Sequence, residues 1–268
     1  MRLNKFISET GICSRREADE WIANGRVSIN GFKAELGSQV GDGDEVMVDR
    51  QRIGAKPKSV YILLNKPVGI TCTTERHIQG NIIDFVGHEQ RIFPVGRLDK
   101  DSEGLILLTN NGDIINQLLR SENHHEKEYA VTVDKPVTEV FLNKMAQGVR
   151  ILDTVTKPCK IRQTGKCEFT IILTQGLNRQ IRRMCEVFSY TVRHLRRVRF
   201  VNLNLGSLKT GQWRNLTEAE LSKLMGSDKP RPQPRKQPSP ASPAAKQQPP
   251  RTQHQPAKPQ QRKPFPKR

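Results

Sequence analysis

Apolar residues along this chain follow two rhythms. The runs Tyr61–Leu64, Leu105–Leu108, Tyr129–Val133, Phe169–Leu173 and Val198–Leu205 are short and rich in branched or aromatic side chains, as strands are. The stretches Ile114–Leu119, Val137–Met145, Gln180–Phe188 and Glu218–Met225 repeat their apolar positions at three and four, as helices do, and Thr217 is the N-cap expected for the last. The two kinds do not alternate in strict βαβ order. The spacing therefore predicts an α+β fold with a mixed, largely antiparallel sheet.

The first fifty residues form a separate pattern. Residues 2–9 read as a helix closed by Gly11, and Ser14 with Glu17 three positions on forms a capping box that opens a second. On that helix Ala18, Trp21 and Ile22 share one face, which leaves Arg15 and Arg16 exposed at its start. Two strand-like pieces follow, Val27–Asn30 and Glu45–Val48. The first ends in an Asn30-Gly31 turn, and Val40-Gly41-Asp42-Gly43-Asp44 lies between them. A polar hinge containing Pro57 spans 50–59. The expected division is an N-terminal domain over 1–52, a linker over 53–59, a larger domain over 60–226 and a tail over 227–268. Twelve of the seventeen prolines lie beyond residue 229, with Phe265 as the tail's aromatic, so the tail is expected to be disordered.

Charge narrows the partners. The net charge is +18, of which eleven Lys and Arg from 229 to 268, with no acid among them, supply a large share; residues 1–228 keep +7. The folded part is basic in its own right, which points to a polyanion, most simply nucleic acid. Cys13, Cys72, Cys159, Cys167 and Cys185 form no C-x-x-C pair, which argues against a zinc site or a disulfide framework and fits a reducing compartment. The start Met1-Arg2-Leu3-Asn4-Lys5-Phe6 lacks the apolar core of a signal peptide. No apolar run approaches the ~18 residues of a membrane span. A soluble, cytoplasmic, monomeric protein without membrane association is expected.

Three segments carry candidate chemistry. In Gly96-Arg97-Leu98-Asp99-Lys100-Asp101-Ser102-Glu103-Gly104 a carboxylate, Asp99, lies among cations just before an apolar run, as an ionised nucleophile would. In Glu126-Lys127-Glu128-Tyr129 a tyrosine stands at the head of a strand. In Gly176-Leu177-Asn178-Arg179-Gln180-Ile181-Arg182-Arg183-Met184 a glycine turn feeds a helix whose Arg179, Arg182 and Arg183 are spaced for one cationic face. Each has an ordinary explanation by itself: an Arg97–Asp99 surface pair, a half-buried strand tyrosine, a solvated or phosphate-contacting face. The Asp99-x-Asp101-x-Glu103-Gly104 spacing mimics a calcium loop, but its twelfth position is Asn110, which cannot be the bidentate ligand.

Taken together, the motifs match known families. Arg2–Ile7, Gly11–Ala18, Gly25–Gly31 and Gly41–Asp44 resemble an S4 (α-L type) RNA-binding domain, whose arginines lie against RNA. Leu64–Gly69, Phe93–Asp99, Gly104–Gly112, Glu126–Tyr129 and Gly176–Met184 resemble the pseudouridine synthases of the small-subunit type, which carry an S4 domain ahead of the catalytic one. The resemblance runs over residues 2–225 in unbroken order. Within it, Thr73–Glu75, Asn81–Val86, Leu98–Ser102 and Gly176–Gln180 look most like the subgroup acting on large-subunit rRNA.

That resemblance implies an isomerase that converts uridine to pseudouridine in structured RNA, 23S rRNA with a tRNA anticodon loop as a second substrate. The reaction needs no cofactor and no metal. Asp99 is implied as the catalytic residue, adding to the sugar at C1′ or abstracting a sugar proton. Arg182 is implied as its ion-pair partner, Tyr129 as the ring lying on the uracil, and Arg97 as the filler of the gap left by the flipped nucleotide. Arg179, Arg183, Arg15 and Arg16 are implied as RNA-backbone contacts. Two other classes compete: a non-catalytic S4-type RNA-binding protein, and a metal-dependent RNA hydrolase built on Asp99 and Asp101.

Overall fold

A computed structural model describes residues 1–119 and 125–226; the tail expected over 227–268 lies outside them. At the N-terminus α1 (Leu3–Glu9) and α2 (Arg15–Ala23) pack on a small antiparallel sheet of β1 (Val27–Ile29), β2 (Phe32–Lys33), β3 (Val46–Val48) and β4 (Gln51–Arg52), in the order β2-β1-β3-β4. The capping box forms: the Glu17 amide donates to Ser14 Oγ at 3.1 Å, and the Ser14 amide to Glu17 Oε2 at 2.6 Å. Leu3, Ile7, Ala18, Ile22, Val27 and Val46 close a core of their own. The hinge read over 50–59 is shorter than its polarity suggests. Gln51 and Arg52 pair with Val48 and Met47, so the sheet uses the first part of it.

The larger domain is built on one sheet. Its elements are β5 (Tyr61–Lys66), α3 (Ile82–Val86), β6 (Phe93–Pro94), β7 (Glu103–Thr109), α4 (Asp113–Leu119), β8 (Lys127–Val133), α5 (Glu139–Gln147), β9 (Arg150–Ile151), β10 (Thr154–Val155), β11 (Lys160–Gly165), β12 (Glu168–Leu173), α6 (Gln180–Val187), β13 (Val192–Phe200), β14 (Leu203–Asn204), β15 (Trp213–Asn215) and α7 (Glu218–Leu224). Among the described residues the sheet runs β11-β12-β8-β13-β7-β5-β15, with β6 on β7 and β14 on β13. The β7–β13 pair is parallel and the others antiparallel, as expected for a mixed sheet. Leu105, Ile106, Leu107 and Leu108 are wholly buried because β7 is covered on both faces, one by the cluster around Ile114, Leu118 and Leu203, the other by Ile82, Val86 and Ile92. At its parallel crossing Gly104 faces Arg197. A Cβ there would lie 2.3 Å from the Arg197 carbonyl oxygen, so only glycine lets the two strands close.

Two elements depart from the pattern reading. The last long strand starts at Val192, six residues before the run that suggested it. Its sequence, Val192-Arg193-His194-Leu195-Arg196-Arg197-Val198-Arg199-Phe200, hides the alternation because irregularities between Val192 and His194 and between Arg197 and Arg199 shift its faces. The helix α3 was not foreseen, although Asn81 caps it by accepting from the amides of Ile83 and Asp84.

The domains meet through charge. Lys5 Nζ lies 2.6 Å from Asp113 Oδ1 on α4, and Lys56 Nζ lies 3.0 Å from Glu9 Oε2 on α1.

Candidate active site

The turn Asp99–Ser102, just ahead of β7, has every backbone carbonyl engaged. The Ser102 amide donates to Asp99 O (3.1 Å) and the Gly69 amide to Lys100 O (2.8 Å). Arg182 Nη2 donates to Asp101 O (2.9 Å), and Lys66 Nζ to Ser102 O (2.8 Å). Two buried cations thus hold the turn through its backbone. Such a saturated network in a poorly solvated place fixes the side chain it presents, here Asp99.

Arg182 is set by α6, whose buried face (Ile181, Met184, Cys185) packs into the core. Its side chain is 9% exposed. Besides Asp101 O it donates to Val192 O at 3.2 Å and Ser102 Oγ at 3.3 Å. Its Nε lies 3.4 Å from Asp101 Oδ2 without a hydrogen bond, a Coulombic contact alone.

Here the structure corrects two sequence expectations. Arg182 pairs with Asp101 rather than with Asp99. The cation nearest Asp99 is Arg179, at 3.9 Å, and Arg179 also forks onto Asp101 with two bonds of 3.1 Å. The physical reason is position: Asp101 stands between α6 and the turn and intercepts both guanidiniums. Nor do the three arginines form one cationic face. Arg179 is the N-cap residue, in left-handed conformation (φ 49°); Arg182 turns inward; Arg183 bonds Asn178 O and Oδ1 at 3.2 and 3.3 Å. Arg97 is exposed and makes no ion pair with Asp99.

Asp99 opens onto a cavity of about 740 Å³, lined also by Arg97, Lys127, Tyr129, Arg179 and Arg197. Tyr129 is half-buried on β8, between Ile171 of β12 and Arg197 of β13. Arg197 is buried, donates from Nε to Leu105 O at 2.6 Å, and stands over Phe200 at 5.5 Å. Several groups here are displaced from their ordinary titration, Arg179 among them, raised by its bonds to Asp101. The Arg179 fork holds the Asp101 carboxyl low. Burial pulls the Lys66 and Lys127 ammoniums down, Arg197 adding to it at Lys127, while nearby Cys72, Asp101, Asp99 and Glu103 oppose it at Lys66. Burial pushes up the Cys72 thiol, whose sulfur accepts from the Leu98 amide at 3.4 Å. Among the described residues no three His, Cys, Asp or Glu side chains group as metal ligands do. Asp101 sets its carboxylate oxygens against Arg179 and Arg182.

Of the residues singled out in the sequence, Arg97, Asp99, Tyr129 and Arg179 line the cavity and Arg182 braces the turn behind it, whereas Lys66, Lys127 and Arg197 were not singled out. Lys66 and Lys127 stood inside the quoted motifs, each next to an apolar run, and that placement was the available signal. Arg15 and Arg16 are exposed at the start of α2, as expected.

A basic two-domain chain of this fold has known counterparts. Residues 60–187 match the RNA pseudouridylate synthase family and residues 1–46 the S4 domain family. The chain belongs to the RNA pseudouridine synthases. It is 56% identical over 226 residues to the dual-specificity RNA pseudouridine synthase RluF of Escherichia coli (strain K12), covering 84% of this chain and 78% of that protein. It is 36% identical over 234 residues to the ribosomal large subunit pseudouridine synthase B of Bacillus subtilis (strain 168), covering 83% and 95%. A crystal structure of a pseudouridylate synthase superposes with a TM-score of 0.61 at 30% identity, over 84% of this chain and 99% of that one. The chain is thus an RNA-binding, RNA-modifying enzyme, and among the described residues no helix is long and apolar enough to cross a membrane.

Proposed function

We propose that Asp99 is the catalytic residue of a uridine-to-pseudouridine isomerisation carried out on a nucleotide flipped out of structured RNA, with 23S rRNA as the main substrate and a tRNA anticodon loop as the second. The two relatives, a dual-specificity RNA synthase and a large-subunit synthase, support that choice. The observation that carries the reading is the braced turn: Asp99 is the side chain presented to the cavity by a backbone whose four carbonyls are already occupied.

The chemistry asks for little else. The N1–C1′ bond breaks, the uracil turns, and C5 bonds to C1′; C5 loses a proton and N1 gains one, so no atom enters or leaves overall. Asp99 serves this by adding to C1′ or by taking a sugar proton, and both roles need an ionised carboxylate at a fixed point. The uridine must leave its stack to reach it. Tyr129 supplies a flat face for the uracil, and Arg97, exposed on the cavity rim, fills the gap in the RNA. Arg179 and Arg183 contact the backbone, Arg179 by exchanging Asp101 for a phosphate. Arg182 acts through Asp101 and the turn rather than on the substrate.

The test is turnover against binding. Asp99→Asn and Asp99→Ala should lower pseudouridine formation by at least about 10³-fold while RNA affinity stays near wild type. Affinity falling in step with activity would remove Asp99 from the chemistry.

A further inference from the structure

Most arginines whose partners are defined are ion-paired: Arg26 with Asp49, Arg52 with Glu45 at 3.7 Å, Arg179 with Asp101, Arg199 with Glu126, Arg214 with Glu220. Among the described residues Arg50, Arg97, Arg150, Arg162 and Arg193 have no such partner, and neither do four arginines near the domain junction, which are set apart by gathering around Glu17 at the start of α2. Arg15 reaches no acid, only the Asn4 amide oxygen at 3.4 Å, and Arg16, Arg76 and Arg91 make neither an ion pair nor a side-chain hydrogen bond among the described residues. Arg15 and Arg16 belong to the N-terminal domain, Arg76 and Arg91 to the catalytic one. Arg91 lines the cleft between the domains, facing the end of α1 from Ser8 to Ile12. Arg91 and Arg76 both lie close enough to Glu17, at the start of α2, to help lower its carboxyl, after the larger effect of the Ser14 hydrogen bonds. Neighbouring acids are partly occupied: Glu17 in the cap, Glu75 at 3.6 Å from His77. Glu89 is exposed on the same rim.

The same two catalytic-domain segments lead into the active site. Thr71 and Cys72 line its cavity, and the chain then climbs to Arg76; Gly96 to Asp99 line it, and the chain reaches back to Arg91. Arg97 lies six positions beyond Arg91, at most about 20 Å at roughly 3.4 Å per residue. The Lys5–Asp113 bridge holds α1 against the catalytic domain, and the Lys56–Glu9 bridge ties it to the linker.

We propose that Arg76 and Arg91 join Arg15 and Arg16 in one phosphate-binding track that crosses the domain junction and leads a double-helical RNA stem to the cavity. Unpaired guanidiniums strung along a surface meet the periodic charge of a backbone without reading sequence, and a stem is recognised by shape and phosphate in this way. The N-terminal domain is then not a tether of its own but the outer half of a surface finished by the catalytic domain. This rests on the RNA-modifying reading above, and the experiment separates the two.

The full chain is titrated with in vitro transcribed 23S rRNA between about 50 and 200 mM salt, and turnover is measured on the same RNA. The variants are Arg76→Gln/Arg91→Gln, Arg76→Lys/Arg91→Lys, and Arg150→Gln as an exposed arginine on β9. The double Gln variant should flatten the log–log salt dependence of affinity by about 1.5 (0.7–0.9 per lost phosphate contact) and raise KM with kcat unchanged. The double Lys variant should restore the slope, and Arg150→Gln should leave it alone. A double Gln variant with the wild-type slope overturns the track. Because the slope is read from binding, it decides the track even if wild type makes no pseudouridine in this RNA, a failure that would count against the proposed substrate.

Discussion

Positive charge is used in opposite ways in the two parts of this molecule. Around α2 the arginines stand in solvent without acids, where each is worth little in any fixed geometry but all add to a long-range field. Around Asp99 the cations are buried and bound: Lys66 has no exposed surface, Arg182 scarcely any, and both donate to backbone carbonyls of a single turn. On the proposed function, the first arrangement gives RNA binding that salt weakens. The second gives a preorganised site, whose charges are too desolvated to be screened and too constrained to reorganise during reaction.

The comparison breaks most visibly at Arg182. Arg182→Leu should leave Val192 O, Asp101 O and Ser102 Oγ without this donor, a loss of about 1–3 kcal/mol for each buried acceptor left unsatisfied visible as a lower melting temperature, with activity lost even where the fold survives. A variant as stable and active as wild type would mean that the turn needs no bracing. Next comes Tyr129. Tyr129→Phe should keep activity and Tyr129→Ala should lose about 10²-fold, consistent with a stacked ring worth ~1–3 kcal/mol; equal rates for all three would remove the ring from the site. Smaller still is the effect at the other pole. Arg15→Gln/Arg16→Gln should raise KM several-fold near physiological salt and lose that defect at low salt, with kcat unchanged, as steady-state kinetics at two salt concentrations would show. A kcat defect would contradict the division of labour. The smallest effect is on pH. Asp101 is held below its ordinary value by Arg179, so its contribution to stability is complete above about pH 4 and fades as pH falls through the depressed value. Asp101→Asn should remove that part of the acid-side loss in urea titrations, and an unchanged acid limb would show that the fork contributes nothing.

The difference between the two regions also explains what could be read from the sequence. The α2 capping box, the Arg15 and Arg16 exposure, the apolar runs Ile62–Leu64 of β5 and Leu105–Leu108 of β7, and the alternation of β12 all obey the rule that apolar side chains go in and charges stay out. Asp99 was legible because its motif is local. What the sequence hid was charge that goes in. The spacing of Arg182 puts it on a cationic helix face, yet it is buried. Arg197 and its neighbours made β13 look polar, and its irregular register removed the period by which a strand is recognised. The Arg182–Asp101 contact joins residues far apart in the chain and rests on Asp101 standing in front of α6, which no spacing rule contains.

The central claim is that a carboxylate on a braced turn isomerises uridine without help from a metal. Carbodiimide-stop mapping of pseudouridine in unmodified 23S rRNA and tRNA, after incubation in EDTA with wild type or Asp99→Ala, tests it directly. The account predicts new stops with wild type that are absent with Asp99→Ala, although both proteins bind the RNA. Wild type that binds tightly and leaves no stop on either RNA, or Asp99→Ala that leaves the same stops, would contradict it.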